Sequence, residues 1–192
     1  MIEIKTPAEV ESIRKASRVV AEVLLQLKSK VKPGVSTADL DKFAEKSIRD
    51  LGAVPAFLGY RGYPATLCVS INEEIVHGIP SPKRFVKEGD IVSLDLGAVC
   101  EGFYGDAALT VAAGAVSGGA LKLMEVTRRS LEEALLKVKA GARLGDVCHA
   151  VEAYAAANGM SVVREFTGHG IGRRLHEEPS IPTSGDPARA RY

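Results

Sequence analysis

The sequence lacks the marks of several common protein classes. Its three cysteines, Cys68, Cys100 and Cys148, are an odd number with no Cys-x-x-Cys pair, which fits a reduced, cytoplasmic compartment. Neither sign of charge is in excess. Lys and Arg number 25 against 24 Asp and Glu, a net charge of +1, so nothing in the balance calls for a nucleic-acid or membrane surface. No apolar run is long enough to span a bilayer. Met1-Ile2-Glu3-Ile4-Lys5 also lacks the basic start and apolar stretch of a signal peptide. What remains is an ordinary globular composition, 46% apolar and 26% charged. The 192 residues are enough for a single domain over 1–192 with a sizeable core.

The first 52 residues read as two helices. Thr6-Pro7-Ala8-Glu9 is a helix start: a capping Thr, a Pro suited to the first helical position, and a Glu placed to complete a capping box. Ile13, Ala16, Val20, Val23, Leu24 and Leu27 follow at helical spacing. Lys32-Pro33-Gly34 breaks that helix. A second starts near Ser36, carries Leu40, Phe43, Ala44, Ile48 and Leu51, and stops at Gly52. The same grammar returns 107 residues later, where Lys32, Gly34, Asp39, Glu45 and Gly52 fall on Lys139, Gly141, Asp146, Glu152 and Gly159. Each copy follows a long amphipathic helix, the later one spanning roughly Ala120 to Val138. The expected fold class is therefore α/β (α+β): two related helix-helix-strand halves about a shared sheet.

Between the halves, Pro55, Gly59, Gly62 and Pro64 mark a loop, and Ala65–Ile71 reads as a strand. The most informative stretch is Asp95-Leu96-Gly97-Ala98-Val99-Cys100-Glu101-Gly102-Phe103-Tyr104-Gly105-Asp106. It holds two carboxylates eleven residues apart in strand-like surroundings, with Gly97, Gly102 and Gly105 supplying the backbone freedom of a hairpin. Period-2 alternation puts Val92, Leu94 and Leu96 on one face and Asp95 on the other, while Asp106 shares a face with Ala108 and Thr110. Pairing across the turn lets both carboxylates reach one pocket. Two such groups repel unless a proton or a cation lies between them. An acidic hairpin in solvent is the bland reading of the same residues.

The histidines decide between them. His149 falls within a helix and reads as packing or surface. His169 lies between two glycines in Gly168-His169-Gly170-Ile171-Gly172, where the backbone can approach a site closely, and His176 follows seven residues later. Two carboxylates with a glycine-flanked His form a mixed oxygen and nitrogen donor set, suited to Mn, Fe, Co, Ni or Zn.

Four segments together resemble a known family. They are Ile71-Asn72-Glu73-Glu74-Ile75-Val76-His77-Gly78-Ile79-Pro80; Gly89-Asp90-Ile91-Val92-Ser93-Leu94-Asp95-Leu96-Gly97; Gly102-Phe103-Tyr104-Gly105-Asp106; and Thr167-Gly168-His169-Gly170-Ile171-Gly172 with His176-Glu177-Glu178-Pro179. The chain resembles the type I methionine aminopeptidases, of the pita-bread fold shared with aminopeptidase P, prolidase and creatinase.

The resemblance implies two pseudo-symmetric halves around a curved, mainly antiparallel sheet. It implies two divalent metal ions (Co, Mn, Fe, Zn or Ni), with Asp95 on one, Asp106 bridging both and His169 on the second. His77 and His176 would bind substrate and stabilise the tetrahedral intermediate, and Tyr60, Tyr63 and Cys68 would line the pocket for the methionine side chain. Phe57 and Leu175 stand at pocket positions where relatives often carry Cys and Phe. The implied reaction is removal of N-terminal methionine from nascent chains by metal-activated water, in a cytoplasmic monomer with transient ribosome contact. An Xaa-Pro peptidase of the same fold is the second enzyme reading. A fold-sharing binding module is the non-enzyme reading, and the retained Asp95, Asp106 and His169 argue against it.

The resemblance runs to about Pro182. The family carries two further Glu ligands on later strands, whereas residues 183–192 are atypical. Restoring one base within the Pro182 codon lets the tail read Pro-Asn-Phe-Gly-Arg-Pro-Gly-Thr-Gly-Pro-Val, like the family's continuation. The expectation is a C-terminally truncated chain, with the last strands missing, that binds metal weakly and has little or no peptidase activity, with an inactive remnant as the alternative. Sequencing the gene around Pro182 checks the frameshift; an intact frame with no Glu-containing motif downstream overturns it.

Overall fold

The computed structural model describes residues 2–187, so the end of the atypical 183–192 tail lies outside the described residues. In chain order the elements are α1 (Pro7–Lys28), α2 (Thr37–Asp50), β1 (Val54–Pro55), β2 (Leu67–Ile71), β3 (Ile91–Cys100), β4 (Phe103–Ala112), α3 (Gly118–Leu135), α4 (Leu144–Ala157), β5 (Thr167–Gly170) and β6 (Glu177–Pro182). Internal contacts divide the chain into two compact units. One is Glu3–Ser117 with Ile171–His176; the other is built on Gly118–Gly170 and the chain from Glu177 onward. Among the described residues no helix is long and apolar enough to cross a membrane.

In the first unit, α1 begins with the expected capping box. The Thr6 hydroxyl accepts from the Glu9 N–H, and the Glu9 carboxylate accepts from the Thr6 N–H at 2.9 Å. Ser36 caps α2, its oxygen accepting from the Asp39 N–H at 3.1 Å. Both helices turn their apolar stripes onto one face of an antiparallel sheet. In that sheet β3 is central, paired with β4 along one edge and with β1 and β2 along the other. Alternation does the sorting. Val92, Leu94, Leu96 and Ala98 of β3 are wholly buried against Val20, Val23, Leu27, Leu40 and Ile48 of the helices, and the odd-numbered residues face the other way.

The β3–β4 turn is tighter than the glycine pattern predicts. Only Glu101 and Gly102 form it, with φ of 53° and 78°, the two positive values of a type I′ hairpin. Gly97 and Gly105 lie inside the strands and serve close packing. A Cβ on Gly105 would stand 2.6 Å from the α1 backbone at Ala16 and Ser17, so glycine is what lets α1 lie directly on β4.

The second unit repeats the helical grammar of the first. Moved by 107 residues, the bounds of α2 fall on those of α4. Gly34 and Gly141 have φ of 90° and 83°, and Gly52 and Gly159 have 74° and 75°. Asp146 accepts from the Arg143 N–H at 3.1 Å, closing the start of α4 much as Asp39 and Ser36 close α2. α3 spans Gly118–Leu135 rather than the expected Ala120–Val138. Its end tightens into turns in which Lys137 and Val138 donate to carbonyls three residues back. β5 and β6 pair antiparallel, with a bulge between His169 and Gly170.

The two glycines of the hairpin predict different responses. Gly105→Ala forces α1 and β4 apart and is expected to lower stability by roughly 2–3 kcal/mol. Gly102→Ala meets no neighbouring atom and pays only its left-handed φ, about 1 kcal/mol. Urea unfolding of the two variants against the parent measures both; an equal loss would contradict the packing role of Gly105.

Candidate active site

Register places the two carboxylates. Asp95 pairs with Ala108, and Gly97, two residues on, pairs with Asp106. The aspartates are therefore diagonal neighbours on the face of the sheet away from the helices, close enough for their side chains to meet. The same face carries Cys68, the β2 partner of Asp95, and the Ser93–Thr110 pair, whose hydroxyls are 2.9 Å apart. Glycine opposite Asp106 makes room, and a Cβ on Gly97 would lie 2.5 Å from the Phe57 ring.

The pair is electrostatically strained. Burial, the charge of Asp106 and a hydrogen bond with Asp106 raise Asp95 from the ordinary carboxylate range to about 7. Nearby Cys68 is pushed up to about 11, first by burial and then by both aspartates, although a hydrogen bond from Tyr63 works the other way. Burial and the aspartates both disfavour the thiolate form of this sulfur.

An apolar wall stands beside the pair. Ala56, Phe57, Cys68 and Leu175 are buried together, with Tyr60, Tyr63, Val99, Tyr104 and Ile171 packed against them. The expected pocket residues Tyr60, Tyr63 and Cys68 thus come together, as do Phe57 and Leu175. Sequence reasoning missed Tyr104 and Val99. Period-2 counting back from Asp106 points to Tyr104, which pairs with Val99 across the hairpin. Ala56 and Ile171 gave no signal, since they sit in loops.

His176 stands at the rim of this wall. Its Nδ1 lies 2.9 Å from the Tyr60 hydroxyl, and the two rings stack with centroids 5.6 Å apart. His77 is exposed on the loop after β2, with φ of 61°. The next residue fixes that loop. The Gly78 carbonyl accepts from the Val69 N–H at 2.8 Å, and its N–H donates to Ser70 Oγ at 3.1 Å. A Cβ on Gly78 would fall 2.1 Å from the Val69 carbonyl oxygen.

His169 belongs to the second unit, on β5. Its Nδ1 lies 3.0 Å from the Gly170 carbonyl, an acceptor only, which puts the proton on Nδ1 and the basic lone pair on Nε2. The bulge that turns its ring is held by Gly170, where a Cβ would meet the Glu178 carbonyl oxygen at 2.4 Å. His149 is exposed on α4, the surface alternative of its reading, its Nδ1 lying 3.2 Å from the Gly185 carbonyl. Among the described residues no three His, Cys, Asp or Glu side chains gather as a preformed metal cluster. The Asp95–Asp106 pair nonetheless fits a divalent cation, because such a charge offsets the repulsion and burial that raise Asp95.

A sheet-borne carboxylate pair beside an apolar wall with a histidine at its rim is a metallohydrolase arrangement. The comparisons with known proteins agree. Residues 11–191 match the model of metallopeptidase family M24, and the chain belongs to that family. Over 189 residues it is 48% identical to a methionine aminopeptidase of Clostridium acetobutylicum, covering 98% of this chain and 76% of that one. It is also 48% identical over 187 residues to methionine aminopeptidase 1 of Bacillus subtilis, covering 97% and 75%. The crystal structure of methionine aminopeptidase from Thermotoga maritima superposes with a TM-score of 0.97 at 44% identity, covering all of this chain and 77% of that one. The pita-bread fold expected from the sequence is the fold of this chain. The chain spans about three quarters of the length of these relatives.

The raised Asp95 sets a pH dependence. Its folded pKa exceeds the unfolded value of about 3.9, so the folded metal-free chain binds a proton more tightly than the unfolded one. Stability is therefore highest below about pH 4, as far as this group is concerned, and falls as pH rises from there through about 7, by on the order of 4 kcal/mol. Asp95→Asn, neutral and isosteric, should remove that fall. Denaturant unfolding between pH 4.5 and 8 of both proteins in a chelating buffer tests it, and parallel curves would contradict the strained pair.

Proposed function

We propose that this protein is a metal-dependent methionine aminopeptidase. The single observation behind this reading is the Asp95–Asp106 pair lying on the same sheet face as Cys68, beside the wall of Phe57, Tyr60, Tyr63 and Leu175. A carboxylate pair supplies oxygen donors, and an apolar recess supplies room for an unbranched, uncharged side chain such as that of methionine.

Asp95, Asp106 and His169 would hold two divalent ions, from among Mn, Fe, Co, Ni and Zn. Bound there, such ions supply a nucleophilic hydroxide at neutral pH and polarise the scissile carbonyl. The chain's own groups do the rest. Asp95 and Asp106 keep their protons off at working pH once a cation shares the pair. The methionine side chain enters between Tyr60, Tyr63 and Cys68, which shed water and fix its direction. His176 is oriented by the Tyr60 hydroxyl and His77 by its rigid loop, so each can offer a ring N–H to the oxygen on which charge develops. Cys68 contributes shape to the pocket wall, where burial disfavours its thiolate form. On the resemblance to the methionine aminopeptidases, the substrates are the N-termini of nascent chains in the cytoplasm, met near the ribosome by a monomer.

Titration with Mn²⁺ by calorimetry, followed by assay of methionine release from Met-Ala-Ser, tests the reading. Weak binding is expected, with at most slow release that a chelator abolishes. Asp106→Asn should weaken binding at least about tenfold, as loss of a shared charged ligand predicts. Absence of binding sinks the metal reading. Binding with cleavage of Ala-Pro but not Met-Ala-Ser favours an Xaa-Pro peptidase instead.

A further inference from the structure

Asp41 is a half-buried carboxylate that the chemistry above leaves unused. It sits on α2 and points across to the start of β2, where its Oδ1 accepts from the N–H groups of both Thr66 and Leu67 at 2.9 Å each. These two residues lead straight into the pocket wall. Leu67 opens β2, and Cys68 after it pairs with Asp95. The carbonyl of Leu67 is held from the other side, accepting from the Tyr63 hydroxyl at 3.1 Å. That same hydroxyl lies 3.2 Å from the Gly78 carbonyl, next to His77. One residue thus has its N–H fixed by Asp41 and its C=O fixed by Tyr63, between two pocket side chains. Without Asp41, two N–H groups at a buried strand end lose their acceptor; Thr66 is 1% exposed and Leu67 fully buried. Asp41 therefore meets a main-chain need at the point where the chain turns from pocket loop to ladder. An apolar residue could fill the space but could not hold the two N–H groups.

We propose that Asp41 is a positioning residue for the side-chain pocket: by holding the Thr66 and Leu67 N–H groups it sets where Cys68 and Tyr63 stand, and so how closely the pocket fits an N-terminal methionine. The part concerning methionine rests on the peptidase reading above; the placement of Cys68 does not. The required property is a single acceptor oxygen at the right reach. Asparagine keeps it, alanine removes it, and glutamate moves it by one methylene.

The variants Asp41→Asn, Asp41→Ala and Asp41→Glu of the whole chain separate these cases. Alkylation by iodoacetamide, read residue by residue by mass mapping, reports on Cys68, with Cys148 of the other unit as internal reference. Cys68 should react about tenfold faster in the Ala variant than in the equally neutral Asn variant, and about tenfold faster in the Glu variant than in the equally charged parent, with Cys148 unchanged throughout. Methionine release from Met-Ala-Ser should show KM raised about tenfold in the Ala and Glu variants with kcat within threefold, and restored by Asn. Unchanged Cys68 reactivity in the Ala and Glu variants overturns the proposal. So does a rise of Cys68 and Cys148 together, which marks general loosening, or an Asn variant that behaves like Ala. If the Ala variant fails to fold, the Glu and Asn variants carry the comparison. The expected Cys68 pattern in a parent that releases no methionine would leave the positioning role standing and remove the peptidase reading.

Discussion

Like-charge repulsion between Asp95 and Asp106 is the constraint on which the site depends. Two carboxylates on one sheet face, partly withdrawn from water, are unstable as a pair of anions. The antiparallel register makes the arrangement unavoidable, because Gly97 opposite Asp106 fixes Asp95 on the adjacent diagonal. Neither aspartate can swing to the other face, since alternation there commits Leu94 and Leu96 to the fully buried core. Core packing on one side of β3 thus holds electrostatic strain on the other. A site strained toward anionic charge is one that a cation relieves, and the scaffold keeps that strain at the spot where chemistry is needed.

Much of this is legible in the amino-acid sequence. The helix starts at Thr6 and Ser36 can be placed from capping chemistry, which is local and needs no tertiary context. The face assignment of Asp95 and Asp106 follows from period-2 alternation, and the internal repeat from glycines whose positive φ values recur in both copies. The misjudged points are tertiary. Gly97 and Gly105 look like turn glycines in sequence, yet their demand comes from Phe57 and the backbone of α1, each distant along the chain. Tyr104 can be found by counting from Asp106. Ala56 and Ile171 cannot, because loop residues carry no period. Asp41 gives no signal at all, since an acid in the first turns of a helix is common and its partners lie on a strand 25 residues away.

The two units bring different physics to the candidate ligands. In the first, strand pairing with few degrees of freedom places the carboxylates. In the second, a bulge and a glycine turn the His169 ring, and a carbonyl selects its tautomer. The helix repeat does not extend to these donors: α2 and α4 share their bounds and flanking glycines, while the hairpin on one side and the bulged pair on the other do not match. The oxygen donors thus belong to one unit and the nitrogen donor to the other, each set by its own local geometry.

The histidines that would meet substrate are held by another principle again. His77 has a backbone φ of 61°, a conformation that costs a non-glycine residue about 1 kcal/mol or more. The neighbouring main chain helps to offset that cost. Gly78 closes its carbonyl on the Val69 N–H, gives its own N–H to Ser70, and lies so close to β2 that no side chain fits. His77 is therefore strained because Gly78 is locked, and the lock is part of the same strand that carries Cys68 opposite Asp95. One short strand thus ties the carboxylate pair, the pocket wall and a histidine loop to a single register, so a shift of β2 would move all three together. The rigidity of β2 at its Leu67 end, where Asp41 and Tyr63 grip a single residue from opposite sides, then bears on every group that a substrate would touch.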